Sequence, residues 1–348
     1  MLEISRCGLF KAVEPDTTDW FRWGSSLTAD EPHAPTSHSL PALARVFRSI
    51  RNGEYDLIVI PAIHADHRFD QPRHKLAAKS LLRAMAGSPA CSRMLGRVAV
   101  GSCCHIVVDL RDERQLCETA LRVFPGAALY FKRELDLDEI NQRQVPVAVR
   151  PLPLFIPDER QLPPPCEKEI DVVFAGALCN GTREAALEVA RSLSARGVRV
   201  HAPPAPLPYG QFLTTLARSW LVLSPEGYGW DCYRHYEACY AGAVPVINSP
   251  RYRRRLYLED GVHCFYYDAD REPLAERLLA MLADKDRLLR MADAGRRHVL
   301  ANHTRTAVAR YMLDEVRARL AAATERPQKS SHATAALIAR SEVITNGR

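Results

Sequence analysis

Apolar and polar positions along the chain alternate between two periods. Asp56–Pro61 (DLIVIP) is an unbroken apolar run of strand length, whereas Leu40–Asn52 spaces its apolar residues as a helix does and stops at Gly53. His74–Met85 reads as a helix ending at Gly87. Arg97–Leu110 holds two strand-like runs, VAV and HIVVDL; Glu113–Val123 returns to helical spacing, and Ala127–Phe131 is another short strand. Strands alternating with helices predict a parallel sheet with helices on its faces. Residues 1–40 fit neither period well: Trp20, Phe21 and Trp23 suggest a packed piece, and 28–40 is rich in Pro, Ser, Thr and His, as loops are.

Residues 145–168 interrupt this pattern with seven of the 24 prolines. Proline lacks an N–H and fixes φ, so the stretch is excluded from a central strand or a helix interior and reads as an extended linker. The alternation then restarts. Ile170–Ala175, Val198–Ala202, Trp220–Ser224, Ala243–Ile247 and Cys264–Tyr267 read as strands. Arg183–Arg196, Gln211–Ser219, Tyr233–Tyr240, Pro273–Leu282 and most of 284–322 read as helices. The expected organisation is a first α/β domain over 1–150, a linker over 151–168, a second α/β domain over 169–322 and a flexible tail over 323–348.

Bulk properties narrow the class further. With 348 residues, 47% hydrophobic and 25% charged, the chain has the composition of a soluble globular protein of about two domains. No run approaches the length of a membrane-spanning helix, and Glu3, Arg6 and Lys11 interrupt any secretory-type apolar stretch, so a cytoplasmic protein is expected. None of the ten cysteines forms a CxxC pair, which argues for reduced, buried thiols over a zinc site or disulfide framework. Forty of the 47 cations are arginine, largely a matter of composition. The net charge of +6 is too mild and scattered to mark a nucleic-acid binder; peripheral membrane contact stays open.

Chemistry concentrates in Ser224–Ile247. A buried strand ends at Ser224, and Gly227 and Gly229 follow in a loop where backbone can approach a ligand closely. Asp231 is an acceptable N-cap for the helix that comes next. Helix N-termini at the carboxyl ends of parallel strands bind phosphate. Arg234, in the first turn, has a guanidinium suited to gripping a diphosphate bidentately. Glu237, three residues on, shares its helix face and can accept both hydroxyls of a ribose. Cation, dipole and acceptor together fit a sugar nucleotide.

These residues resemble the donor-binding signature of GT-B glycosyltransferases, closest to the glycosyl transferases group 1 domain of spore-maturation (CgeB-like) proteins, with kinship to exostosin-type enzymes. The family pattern of a Gly-rich loop, D-x-x-R-x-x-E-A, a spacer and G-x-x-P-V is matched here by Gly227/Gly229, Asp231, Arg234, Glu237-Ala238, Gly242 and Pro245-Val246. Asp260–Asp268, Glu272–Ala283 and Ala294–Thr304 extend the likeness downstream; Val172–Gly176 with Arg183 extends it upstream, so that it covers about 170–315. One departure stands out. Commoner GT-B enzymes keep two acidic residues eight apart, whereas Glu226 and Glu237 are eleven apart.

The resemblance implies an α/β, GT-B-like fold of two Rossmann-like domains with parallel sheets facing a central cleft. It implies a hexosyltransferase-type enzyme: a nucleotide-diphosphate sugar on the C-terminal domain, an acceptor on the N-terminal one, and neither metal nor other cofactor. The acceptor, whether glycan, lipid-linked glycan or protein, is not legible. On this reading Arg183, Glu226, Gly227, Gly229, Asp231, Arg234, Glu237 and Pro245 bind the donor. His64 and His105 are candidate bases, and Lys132 and Arg133, just after a strand, are candidate cleft cations. Three D-x-D strings, at 136–138, 268–270 and 284–286, are read as chance rather than metal sites. A nucleotide-sugar epimerase on the same fold and a catalytically degenerate sugar-nucleotide-binding module are the alternatives.

Overall fold

The computed structural model describes residues 1–5, 19–22, 40–62, 100, 103–136, 145–156, 163, 166–250, 256–268 and 273–324. Residues 1–309 form one compact unit. A second unit begins at Arg310, and its described part is a helical stretch to Thr324.

Two parallel sheets make up the first unit. The first has strands β1 (Leu2–Ser5), β2 (Asp19–Arg22), β3 (Leu57–Pro61), β4 (Cys104–Asp109), β5 (Leu129–Lys132) and β6 (Val149–Pro151), in the order β2-β1-β3-β4-β5-β6. Helices α1 (Leu40–Arg51) and α2 (Glu118–Val123) belong to this half. Val46 and Ile50 of α1, Ala120 of α2 and Phe124 just after it pack against Ile58, Ile60, Val107 and Tyr130 of the sheet. The second sheet has β7 (Ile170–Val173), β8 (Val200–His201), β9 (Ser219–Leu223), β10 (Val244–Asn248) and β11 (Phe265–Tyr267), in the order β11-β10-β9-β7-β8.

Five helices accompany the second sheet: α3 (Gly181–Ser192), α4 (Tyr209–Ala217), α5 (Tyr233–Tyr240), α6 (Leu274–Ala283) and α7 (Lys285–Asn302), followed by α8 (Arg305–Thr324). Strand period 2 sorts the core onto two faces. Val172, Leu221, Leu223, Val244 and Val246 meet α3, α6 and α7, while Val173, Val222 and Ala243 meet α4 and α5. Both faces are apolar, which is why these strands read as continuous hydrophobic runs.

Several expectations change. The segment 145–156, expected to be extended linker, is packed into the fold. Val149–Pro151 is an edge strand, where proline's missing N–H costs no ladder bond. Leu152, Leu154, Phe155 and Ile156 are buried, and Leu154 and Ile156 pack with Trp230, Tyr236 and Val299 of the second half. Of the strand expected at VAV only Val100 is described, and it is helical; Val98 and Ala99 lie outside the described residues, as does the expected helix His74–Met85. The expected helix from Glu113 begins only at Glu118. The tail beyond Thr324 is likewise outside the described residues. Among those described, no helix is long and apolar enough to cross a membrane.

Lys168, just ahead of β7, ties the second sheet to its helix ends. Its ammonium donates to the carbonyls of Ala217 (2.8 Å), Ser219 (2.9 Å) and Gly242 (2.6 Å), all near the carboxyl ends of α4 and α5. Unsatisfied carbonyls at helix ends favour a cation. Lys168→Met is expected to cost about 2 kcal/mol, because charged hydrogen bonds to buried acceptors are worth about that much. A lowered urea midpoint with unchanged helical content checks it.

Candidate functional site

The site forms at the carboxyl edge of the second sheet, from the loop after β7, the loop after β9 and the start of α5. Asn180 caps α3, its side-chain oxygen accepting the Arg183 amide at 3.0 Å. Its amide nitrogen donates to the carbonyls of Gly227 (2.7 Å) and Glu226 (3.3 Å), so one side chain ends a helix and braces the opposite loop. Arg183 repeats the brace. Nε donates to the Glu226 carbonyl at 2.9 Å, Nη1 to that of Ala177 at 2.8 Å, and Nη2 reaches Cys232 Sγ at 3.6 Å. A Cβ on Gly227 would lie 2.7 Å from Arg183 Nη2, so a side chain here would displace that guanidinium.

Arg234 lies on the second position of α5 and is buried. Its guanidinium sits 5.4 Å from the centre of the Phe174 ring, and a Cβ on Gly176 would collide with Nη2. Nη1 is buried with no hydrogen-bond partner. Burial first, and then the like charge of Arg183, push its pKa down to about 10. Such depression of an arginine shows how poorly its charge is answered. The N-cap position of α5 is Cys232, which makes no side-chain cap, so the helix dipole adds positive potential at the same place. Burial pushes Glu237 up to about 7, with Arg234 and the Tyr209 hydroxyl pulling the other way.

The remaining candidates fall elsewhere. Asp231 does not cap α5; the helix starts one residue later than an Asp231 cap requires, and the Asp231 carboxylate instead accepts the Tyr236 hydroxyl at 2.7 Å. Glu226 holds its loop by its backbone: its amide donates to Asn248 Oδ1 at 2.7 Å, while its carboxylate meets the Thr182 hydroxyl at 3.4 Å. Pro245 lies inside β10, in register with Val222, and is no part of the carboxyl edge; Asn248, at that strand's end, is. Gly229 faces the first half, where a Cβ would lie 2.6 Å from Glu134 Oε1.

The candidates of the first half are placed just as specifically. His105 is the second residue of β4, at the amino end of the sheet, with its ring edge-on to Phe124 and Nδ1 3.2 Å from the Cys103 carbonyl. That is the wrong end for a base acting where parallel strands finish. His64 lies outside the described residues. Lys132 is fully buried, its Nζ 3.1 Å from the Arg111 carbonyl and 3.6 Å from Asp109, so it is core rather than cleft. Arg133 is engaged by Asp112 and donates to the Asp231 carbonyl at 3.3 Å, while Glu134 accepts the Asp231 amide at 2.9 Å. No group of three or more His, Cys, Asp or Glu is arranged to hold a metal among the described residues.

Sequence reasoning missed Asn180, Cys232, Asn248, Phe174 and Glu134. Asn180 and Asn248 carry a readable signal, each being a polar residue that closes an apolar strand or opens a helix. Phe174 and Glu134 do not, because their roles depend on what lies across the fold.

Comparison with known proteins bears on the fold. The family model of the RXYLT1 C-terminal domain matches residues 206–252, the segment from before α4 to after β10. A glycosyltransferase from Rickettsia africae is structurally similar at a TM-score of 0.54 and 8% identity, over 92% of this chain and 98% of that one. HepE from Anabaena, solved with UDP, is similar at 0.52 and 13%, over 91% and 99%. No curated protein sequence matches this chain. The chain has the GT-B fold.

Glu237 gives the site a pH signature. With its pKa raised from 4.5 to about 7, the folded chain keeps a proton that the unfolded chain releases. Stability from this group is therefore lost as pH climbs from about 4.5 to about 7. The melting temperature of the wild type minus that of Glu237→Gln is expected to decline across that window; a pH-independent difference would show that the carboxyl titrates normally.

Proposed function

We propose that the protein is a glycosyltransferase that takes a sugar from a nucleotide-diphosphate sugar, with the donor held at the carboxyl edge of the second sheet. The first half then serves the acceptor, and residues 151–168 join the two. The observation that carries this reading is the Arg234 guanidinium, buried beside Arg183 with Nη1 unpartnered. A buried cation without a carboxylate partner is costly, and an anion that binds there relieves the cost. A diphosphate suits the pair: Arg234 has an unused donor at Nη1, Arg183 adds positive charge beside it, and the uncapped start of α5 supplies partial positive charge.

Glu237 extends the fit to a nucleoside. Hydroxyl donors from a ribose favour its ionised form and so couple binding to proton release. During transfer, negative charge grows on the departing diphosphate, where the two arginines and the helix dipole are already in place. This supplies the charge stabilisation that other transferases obtain from a metal, and the reading is metal-independent. Likeness to HepE, solved with UDP, supports a nucleoside diphosphate as the anion.

Thermal unfolding tests the proposal. UDP, GDP, ADP or dTDP at about 100 times its Kd should stabilise the wild type by about 2.7 kcal/mol. Arg234→Ala and Glu237→Ala are expected to remove that shift. Gly176→Ala should weaken it by about tenfold in affinity, since displacing the Arg234 guanidinium loses a charged contact. Absence of any shift with all four nucleotides overturns the reading. Binding without release of sugar from a panel of nucleotide sugars would favour the degenerate binding module.

A further inference from the structure

Tyr228 is 84% exposed, against 52% for Leu178, the next most exposed large apolar side chain among the described residues. The loop carrying it is braced, so its exposure is not that of a frayed segment. Gly227 donates its amide to the Gly229 carbonyl at 2.9 Å. Asn180 holds the carbonyls of Glu226 and Gly227, and Arg183 holds that of Glu226 as well. Glu134 holds the Asp231 amide. Each flanking glycine is walled in, Gly227 by Arg183 and Gly229 by Glu134 with Asp112 behind it. The ring of Tyr228 is thus presented to solvent by a fixed backbone. A single exposed aromatic is ordinary on a protein surface; this one differs in being held by a braced loop beside the candidate donor site, where its ring face is available to a ligand.

Its place along the site indicates what the contact is. Tyr209 lies beside Glu237, Glu237 feels the charge of Arg234, and Arg234 that of Arg183. Arg183 Nη2 abuts Gly227, and Tyr228 is the next residue. A nucleoside at Glu237 and a diphosphate at the arginines leave Tyr228 at the far end, where the sugar emerges. Gly229, on its other side, abuts Glu134 and Asp112 of the first half. The ring therefore stands between the phosphate cradle and the half that receives the acceptor. Its exposure suits a molecule arriving from solvent better than the enclosed donor sugar.

We propose that Tyr228 is a stacking platform for an acceptor sugar ring, which makes the acceptor a carbohydrate; this rests on the transferase reading above. A pyranose has an apolar C–H face and a rim of hydroxyls. The tyrosine face takes the first by apolar burial. Carboxylates accept from the second: Glu226 two residues before the tyrosine, and Asp112, whose side chain is 45% exposed, against Gly229 just after it.

Saturation-transfer NMR on the full chain tests this, using methyl glycosides of glucose, galactose, mannose, xylose and N-acetylglucosamine, each with and without UDP. At least one glycoside should bind the wild type. Tyr228→Ala should weaken that binding by about fivefold or more while the UDP Kd stays within about twofold, and Tyr228→Phe should keep both. The proposal is overturned if no glycoside binds, if Tyr228→Ala binds as the wild type does, or if it loses UDP in parallel, which would make the ring part of the nucleotide site. Should UDP fail to bind the wild type while a glycoside still binds in a Tyr228-dependent way, the transferase reading falls and the platform stands.

Discussion

Arg234 and Arg183 bring like charges together at a buried floor, and much of the second half is arranged so that this can persist. A desolvated guanidinium without a carboxylate partner is unfavourable by several kcal/mol unless something compensates it. Arg183 is compensated by the carbonyls of Glu226 and Ala177. Arg234 has the face of Phe174 and the more distant charge of Glu237. Backbone comes close to both guanidiniums, so a side chain at Gly176 or Gly227 would push one of them aside. Asn180 then has to hold the β9 loop in register with the start of α3, or the carbonyls that satisfy Arg183 would drift away.

The same constraint reaches into the first half through one peptide unit. Asp231 gives its amide to Glu134 and its carbonyl to Arg133, so both ends of that residue are held from across the fold. Glu134 and Arg133 can do this because the strand before them ends rigidly. Asp109 accepts the Tyr130 hydroxyl at 2.5 Å, is forked by Arg111 and attracts Lys132. This buried network fixes the ends of β4 and β5 together, and the next two residues reach the backbone of Asp231 in the loop after β9. Lys132 thereby acts on the site at one remove, by positioning the backbone of its neighbours.

Legibility in the sequence followed how local each feature's cause is. Strands such as Ile170–Val173 and Ser219–Leu223 were readable because both faces are apolar, and the Arg234–Glu237 pair was readable because helical spacing alone puts them on one face. β1 was not, since Glu3 breaks its apolar run, although that side chain is fully buried in the fold. Lys132 misled because a cation after a strand looks solvent-facing until its buried acidic partner, twenty-three residues earlier, is known. Proline density misled at 152–156, because the residues between the prolines are large and apolar and fill the core. Pro245 sat within the family-like signature, yet only the register of β10 shows that it lies in mid-strand.

The eleven-residue spacing of Glu226 and Glu237 has a physical account in these contacts. Were the acids eight apart, the second would fall at position 234, now held by the arginine whose charge the site depends on. The longer loop accommodates Trp230, Asp231 and Cys232. Trp230 donates its indole N–H to the Asn248 carbonyl at 2.8 Å, anchoring the loop to the end of β10. Asp231 carries the clasp to the first half, and Cys232 starts α5 beside Arg183. The extra length therefore moves α5 along the chain until its arginine, not an acid, lies beside Arg183, with Glu237 three residues further on. What looks like a departure from the commoner pattern is the part of the loop that ties α5 to both halves of the fold.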